Sequence, residues 1–271
     1  MMPNTDTDTA LLTLDQLTVG HGPCAVLEQV SMAVHAGDIV CVLGPNGCGK
    51  STLLSTCLGL LKPLAGQSLL QGKPVSALTP AQRASKVSHV AQHVAEQLGF
   101  RVLDWVVLGR SARWSGFWGS LNGPQEADYA QAKQALAELG IATLAQRLYS
   151  ELSGGQQQLV RIAQAVCQDA PLMTLDEPTA NLDLANTEQV LHLLEQWATH
   201  TGRGVLFTTH DPQQALRLNA QVLMLNQGRV MAFGQATDVL TNINLSALYN
   251  HPVERVDTPH GPWVRPSQSP R

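Results

Sequence analysis

Gly44-Pro45-Asn46-Gly47-Cys48-Gly49-Lys50-Ser51-Thr52 is the stretch on which the reading of this 271-residue chain turns. It fits the pattern G-x-x-x-x-G-K-[ST] of a phosphate-binding loop. The residues before it, Asp38-Ile39-Val40-Cys41-Val42-Leu43, form a short apolar, β-branched run, as a buried strand does. The residues after it, Thr52 to Leu61, put apolar side chains at helical spacing and stop near Pro63. Strand, glycine loop and helix are the context that the pattern needs. Gly44, Gly47 and Gly49 let the backbone fold tightly and aim its N–H groups inward, where the helix N-terminus adds partial positive charge. Lys50 is expected to reach the β- and γ-phosphates, and the Ser51 hydroxyl to ligate Mg²⁺. The loop predicts a nucleoside triphosphate site.

Composition narrows what surrounds that loop. A hydrophobic fraction of 44% supports a sizeable core, and a formal charge of −4 argues against a nucleic-acid footprint, which calls for a basic patch. No apolar run reaches the roughly 18–20 residues that cross a bilayer. The polar N-terminus, Met1-Met2-Pro3-Asn4-Thr5-Asp6, lacks the basic-then-apolar layout of a secretory signal, so a cytoplasmic chain is expected. Cys24, Cys41, Cys48, Cys57 and Cys167 are odd in number, show no CxxC spacing, and read as reduced thiols. Cys41, Cys57 and Cys167 sit in apolar stretches that predict core positions. Cys48 reads as an inert loop filler, the other reading being a thiol activated by the helix N-terminus.

Outward from the loop, Leu11–Leu14, Leu17–Val19 and Val26–Val34 read as strands, with a turn at Gly20-His21-Gly22-Pro23. Gln67–Leu70 continues this β-rich prelude, and Thr79-Pro80 has the form of a helix N-cap followed by its first residue. Val87–Ala91 is a strand that delivers Gln92 to its end. From about residue 96 to 168 the pattern turns helical, with segments at 102–109, 124–139 and 157–168. Beyond Pro171, the strands Leu172–Leu175 and Val205–Thr209 alternate with a helix over 186–199, which argues parallel α/β layering. Residues 221–233 look like a hairpin, and residues 251–271, rich in Pro and Gly, are read as an irregular tail.

Three further stretches carry chemistry. Leu172-Met173-Thr174-Leu175 ends in Asp176-Glu177-Pro178. An Asp at such a strand end is expected to hold Mg²⁺, and the adjacent Glu177 to polarise a water for in-line attack on the γ-phosphate. Val205–Thr209 ends in His210-Asp211, at the carboxyl edge where open α/β sheets meet their ligands. Leu152-Ser153-Gly154-Gly155-Gln156 makes a second anion-binding helix N-terminus, with Ser153 at the N-cap. It lies far along the chain from the first loop and has no anion of its own in a single subunit.

With these stretches assembled, the chain resembles the ATP-binding subunit of an ABC transporter over roughly residues 11–265. Gly44–Thr52 matches Walker A and Gln92 the Q-loop. Leu152-Ser153-Gly154-Gly155-Gln156 matches the LSGGQ signature, and Leu172–Glu177 matches Walker B. Asn181-Leu182-Asp183 matches the D-loop and His210 the switch histidine. The resemblance implies a P-loop NTPase core of the ABC ATPase type, with an N-terminal antiparallel β lobe and a helical subdomain. The ATPase domain would span residues 1–250, with the β lobe and core over 11–95 and 169–240 and the helical subdomain over 96–168. It further implies a homodimer that sandwiches two ATP molecules, each held by Walker A of one copy and by Ser153, Gly154 and Gly155 of the other. Gln92, with Ser51 and Asp176, would face the Mg²⁺, while Glu177 and His210 would serve catalysis. The family usually stacks an aromatic on adenine in the turn before the second strand. Here that turn carries His21, whose imidazole offers less area.

Within the family, the segment Glu96–Ser120 resembles importers of iron–siderophore, haem and cobalamin type. So do Pro178–Asp183, Thr209–Ala215 and Leu245-Ser246-Ala247-Leu248-Tyr249. Molybdate and zinc or manganese importers share much of this wording and supply the alternative cargo. The resemblance implies two separate membrane permease subunits, a solute-binding protein that delivers cargo, and a peripheral place on the inner face of the membrane. Trp105, Trp114, Phe117 and Trp118 either line a groove for the permease or pack inside the helical subdomain. A soluble ABC ATPase acting on nucleic acid or ribosomes is the alternative from another class. It is disfavoured by the single cassette, the lack of sustained heptads and the lack of a basic patch.

Overall fold

The computed structural model describes residues 10–92, 99–114, 123–259 and 261–267. Strands β1 (Leu12–His21) and β2 (Cys24–Val34) form a hairpin whose two-residue turn has Gly22 at φ +56°, a conformation open to glycine. β3 (Ile39–Leu43) feeds the glycine loop and the helix Lys50–Cys57. β4 (Ala65–Leu70) and β5 (Lys73–Pro74) complete an antiparallel sheet in the order β2-β1-β4-β5. The main sheet adds β6 (Val87–Val90), β7 (Leu172–Leu175), β8 (Gly204–Thr209), β9 (Gln221–Asn226) and β10 (Arg229–Gln235). Its order is β10-β9-β3-β8-β7-β6, parallel except for the β9–β10 hairpin.

The alternation of side chains along a strand explains why these runs are apolar throughout. On β3, Val40 and Val42 face a core shared with the β1–β2 hairpin and the helix Lys50–Cys57. Cys41 and Leu43 face the opposite core, built with the helices Gly154–Gln168 and Leu184–Thr201. β8 divides in the same way, with Leu206 on the first side and Val205 and Phe207 on the second. A sheet covered on both faces leaves its strand ends as the open edge. The phosphate loop emerges there.

The structure departs from the sequence reading at definite places. Leu11–Leu14 and Leu17–Val19 belong to one strand, bent at Gln16 with φ +46° where the β1–β2 register shifts. The bulge lets Leu14 and Leu17, three apart and so out of phase in a straight strand, both bury completely. The helix expected over 102–109 ends at Val107 and tightens into a 3₁₀ turn to Trp114. The first helix begins at Lys50 and closes at Cys57, short of Leu61.

The described residues of the expected irregular tail, 251–271, are mostly paired. β11 (Val253–Thr258) and β12 (Gly261–Pro266) form an antiparallel hairpin, in which Arg265 donates to Glu254 at 2.8 Å. Pro262 and Pro266 read as breakers in the sequence. In a two-stranded ribbon every strand is an edge, and an edge tolerates proline.

Trp105 and Trp114 are both half-buried against the core. The Trp105 ring lies 5.6 Å from that of Tyr149 and 6.0 Å from that of Phe100, and the Trp114 indole donates to Asp128 at 3.0 Å. Packing therefore accounts for these two, while Phe117 and Trp118 lie outside the described residues. No helix among the described residues is long and apolar enough to cross a membrane.

Candidate active site

The loop closes on itself before the helix begins. The Cys48 N–H donates to the Pro45 carbonyl at 3.3 Å, and the Gly44 N–H donates to the Thr209 carbonyl at 3.3 Å, tying the loop to β8. Gly49 sits at φ +103°, and a Cβ there would fall 2.7 Å from Val26. Glycine is required on both counts. The next residue, Lys50, is buried, and its ammonium donates to the Gly44 and Pro45 carbonyls at 2.9 and 3.2 Å. Pro45 is half-buried, whereas Asn46 and Gly47 are exposed at the tip. Cys48 turns inward beneath Gly44. Burial pushes its thiol above the ordinary range while Lys50 acts the other way, so of the two sequence readings the inert one holds.

The parallel register then decides which residues meet the loop. Leu43 pairs with Thr209, Leu175 with Phe207, and Val90 with Leu175, so Gly44, Asp176, His210 and Gln92 all follow strands that end on one rim. Asp176 is buried, with its carboxylate accepting from the Thr208 hydroxyl at 2.7 Å. Glu177 stands in the left-handed region at φ +47°, uncommon for any residue but glycine. Its N–H donates to the same Thr208 hydroxyl at 2.9 Å. Its carboxylate meets the Lys50 ammonium at 3.3 Å and accepts from the Gln92 amide at 3.3 Å. His210 Nδ1 lies 3.7 Å from the same carboxylate, on a ring that is 58% exposed. One side chain thus gathers three of the residues singled out in the sequence.

Thr208 is the residue that sequence reading missed. Its signal was a hydroxyl, beside that of Thr209, at the end of an otherwise apolar strand, and strand propensity alone accounts for a threonine. Here it orients Asp176 and Glu177 together. Thr208→Val keeps the shape but leaves the buried Asp176 carboxylate and the Glu177 N–H without this partner. We expect a stability loss of about 1–3 kcal/mol in urea unfolding. A loss below about 0.5 kcal/mol, ordinary for a surface change, would show the bridge to be idle.

A cleft of about 330 Å³ opens over these groups, lined by His21, Gly47, Lys50, Ser51, Thr52, Gln92 and Glu177 among others. His21 ends β1, exposed, with Nε2 3.2 Å from the Thr52 hydroxyl. It lies at the cleft, exposed, where an imidazole is the group available to meet a planar ligand. Ser51, Gln92 and Asp176 offer a hydroxyl, an amide and a carboxylate, hard oxygen-bearing groups that suit Mg²⁺. Among the described residues no cluster of three or more His, Cys, Asp or Glu could hold a metal alone. A cation here would complete its shell from phosphate oxygens, the usual habit of Mg²⁺.

The second glycine-containing stretch lies outside this cleft. Ser153 caps the helix Gly154–Gln168 with a reciprocal box: its hydroxyl accepts from the Gln156 N–H at 3.3 Å, and Gln156 accepts from the Ser153 N–H at 3.2 Å. Leu152 is buried as the anchor, Gly155 and Gln156 are half-buried, and Ser153 and Gly154 are exposed. None of Leu152, Ser153, Gly154, Gly155 or Gln156 lines the cleft. The same helix nevertheless reaches back to it. Gln158 donates to the Pro178 carbonyl at 3.0 Å, and Arg161 to the Gln92 carbonyl at 3.4 Å. Asp183 is exposed and caps the helix Leu184–Thr201, accepting from the Asn186 N–H at 2.8 Å.

The chain is similar to known proteins over most of its length. The ABC transporter family profile matches residues 27–180. The molybdate import ATP-binding protein MolC of Haemophilus influenzae is 38% identical over 84% of this chain and 83% of its own. The iron(3+)-hydroxamate import ATP-binding protein FhuC of Bacillus subtilis is 36% identical over 92% and 91%. Among solved structures, an ABC transporter described as of metal-chelate type, in an inward-facing conformation, superposes with a TM-score of 0.81. It is 34% identical and covers 96% of this chain and 98% of its own. The chain belongs to the ABC transporter family, as one of its ATP-binding subunits.

Proposed function

We propose that two copies of this chain bind and hydrolyse ATP at shared sites and thereby drive uptake of a metal chelate through two separate membrane permease subunits. The observation that carries this reading is the division of its anion-binding groups. Gly47, Gly49 and Lys50 line the cleft, whereas Ser153 and Gly154 are exposed and do not line it. A second copy, turned head to tail, supplies that cap to the first copy's nucleotide.

In this reading the backbone N–H groups of Gly47, Gly49 and Lys50 bind the phosphates. The Lys50 ammonium leaves the Gly44 and Pro45 carbonyls for the β- and γ-phosphate oxygens. Ser51, Asp176 and Gln92 hold Mg²⁺, which when bound neutralises charge on those oxygens. Glu177, released from Lys50, orients a water and takes its proton as the water attacks the γ-phosphate in line. The bond from the γ-phosphorus to the bridging oxygen breaks, so that ADP leaves with those electrons and phosphate is formed. His210 hydrogen-bonds the γ-phosphate or that water, and His21 stacks against adenine. Ser153, Gly154 and Gly155 of the second copy close over the γ-phosphate, and Asp183 lies at the joint between copies. Gln92 relays the state of the site to the permease, and a solute-binding protein delivers cargo from outside. The chain sits peripherally on the inner face of the membrane.

The cargo is read as a chelate of iron–siderophore, haem or cobalamin type, with molybdate, and zinc or manganese, as the second reading. The similarity to both a hydroxamate and a molybdate importer subunit supports keeping the two. The test is uptake in cells deleted for this chain and restored with it or with Lys50→Ala, each labelled cargo offered in turn. Lys50→Ala removes charge-assisted hydrogen bonds and is expected to weaken ATP binding about 10- to 100-fold and to restore no uptake. Unchanged ATP affinity refutes the placement of Lys50. Restored molybdate uptake by the unaltered chain, with chelate uptake unmoved, transfers it to the second reading.

A further inference from the structure

The peptide group that carries His210 is held at both ends by side chains. The β3–β8 ladder stops at Thr209, so the His210 carbonyl lies beyond it. That carbonyl accepts a hydrogen bond from the Tyr249 hydroxyl at 2.8 Å, from 39 residues further along the chain. The N–H at the other end of the same peptide, that of Asp211, donates to the Thr209 hydroxyl at 3.0 Å. A peptide unit is planar, so fixing its oxygen and its N–H fixes its plane and the place of the His210 Cα from which the ring extends. The ring itself is largely exposed, with the Glu177 carboxylate 3.7 Å from its Nδ1.

Tyr249 is in turn well anchored. It ends the helix Asn242–Tyr249 and packs against the main core, and Asn250 after it turns left-handed at φ +50°. One turn earlier, Ser246 exchanges hydrogen bonds with Val253, at 3.2 Å to its carbonyl and 2.9 Å from its N–H. The hairpin that begins there reaches the other flank of the histidine loop, where Gln213 donates to the Pro262 carbonyl at 3.0 Å and accepts from the Val264 N–H at 3.2 Å. Burial, with Asp211 and Cys41 adding, pushes the phenol above its ordinary range, so it keeps the proton it donates.

We propose that Tyr249 is a positioning residue for His210, orienting the imidazole toward Glu177 and the γ-phosphate through the His210 backbone carbonyl. The inference rests on the reading of His210 given above. It also assigns a task to the C-terminal segment: the hairpin holds the tyrosine and the histidine loop to one frame.

The test is steady-state ATP hydrolysis by the full-length chain, at a temperature where circular dichroism shows every variant folded. Tyr249→Phe removes one hydroxyl and no packing. Its kcat is expected to fall about three- to tenfold, the worth of one hydrogen bond, with KM for ATP unchanged. His210→Ala is expected to fall further, and adding Tyr249→Phe to it should change nothing, because the bond then has no ring to aim. Full kcat in Tyr249→Phe, or an equal loss with and without His210, overturns the inference. Full turnover in His210→Ala alone overturns instead the reading on which it rests.

Discussion

Glu177→Gln is expected to bind ATP at least as well as the unaltered chain and to lose about 100- to 10,000-fold in turnover, the range for removing a general base. The amide matches the carboxylate in shape and still accepts a hydrogen bond from Lys50, so the loop geometry survives. It takes no proton, and the attacking water then has no base. The effect on affinity follows from the same contact. The Lys50 ammonium sits 3.3 Å from the Glu177 carboxylate, at side-chain exposures of 5% and 11%. Phosphates must compete with that carboxylate for Lys50 and also meet its negative charge. A neutral amide holds Lys50 more weakly and carries no charge to repel the phosphates, so it lowers the first cost and removes the second. ATP should therefore raise the melting midpoint of the variant by more than that of the unaltered chain, and gel filtration with ATP should retain a dimer that does not decay. Brisk hydrolysis removes Glu177 from its role, and weaker ATP binding contradicts the competition at Lys50.

Gly154→Asp separates a composite site from a single-chain one. A Cβ at Gly154 meets nothing within 4 Å in its own chain, so the fold accepts the substitution. Asp at the first helical position is even favoured by the helix dipole, by about 0.3–1 kcal/mol. If the cap faces a second copy's nucleotide, the new carboxylate opposes the γ-phosphate. Turnover should then fall about 100- to 1,000-fold, as when a transition-state donor is lost. The mixing experiment makes the sharing explicit. Gly154→Asp and Lys50→Ala homodimers each carry one defect in both sites and should both be inactive. Mixed dimers hold one site with neither defect and one with both, so activity should reappear on mixing, at no more than one working site per dimer. Normal turnover in Gly154→Asp, or no recovery on mixing, defeats the shared site.

What the sequence carried was local chemistry with a fixed spacing. Glu177, Gln92 and His210 were legible because each follows an apolar run, and a parallel sheet aligns such ends on one rim, while Lys50 was legible from the glycine pattern itself. Ser153 and Thr79 were legible as caps because the capping bond is made within four residues. Thr208 was not, since its value comes from Asp176 and Glu177, 32 and 31 residues away. Tyr249 matched a family phrase, but nothing in that phrase says that its hydroxyl meets the backbone of His210. The hairpin over residues 253–266 was read as irregular because its prolines break most strands, and only the pairing shows that they occupy edges.

The amino-acid order of Gly44–Thr52 by itself pointed to phosphate binding, because glycine backbone freedom, a helix N-terminus and a lysine act at short range. Tertiary structure decided what the loop is bound to. It brought Lys50 to Glu177, and it set His210 on a peptide clamped by Tyr249 and Thr209. It also turned Cys48 into the core and left Ser153 and Gly154 facing outward. Those outcomes depend on strand order and register, which join residues far apart in the chain and are written in no single stretch of it.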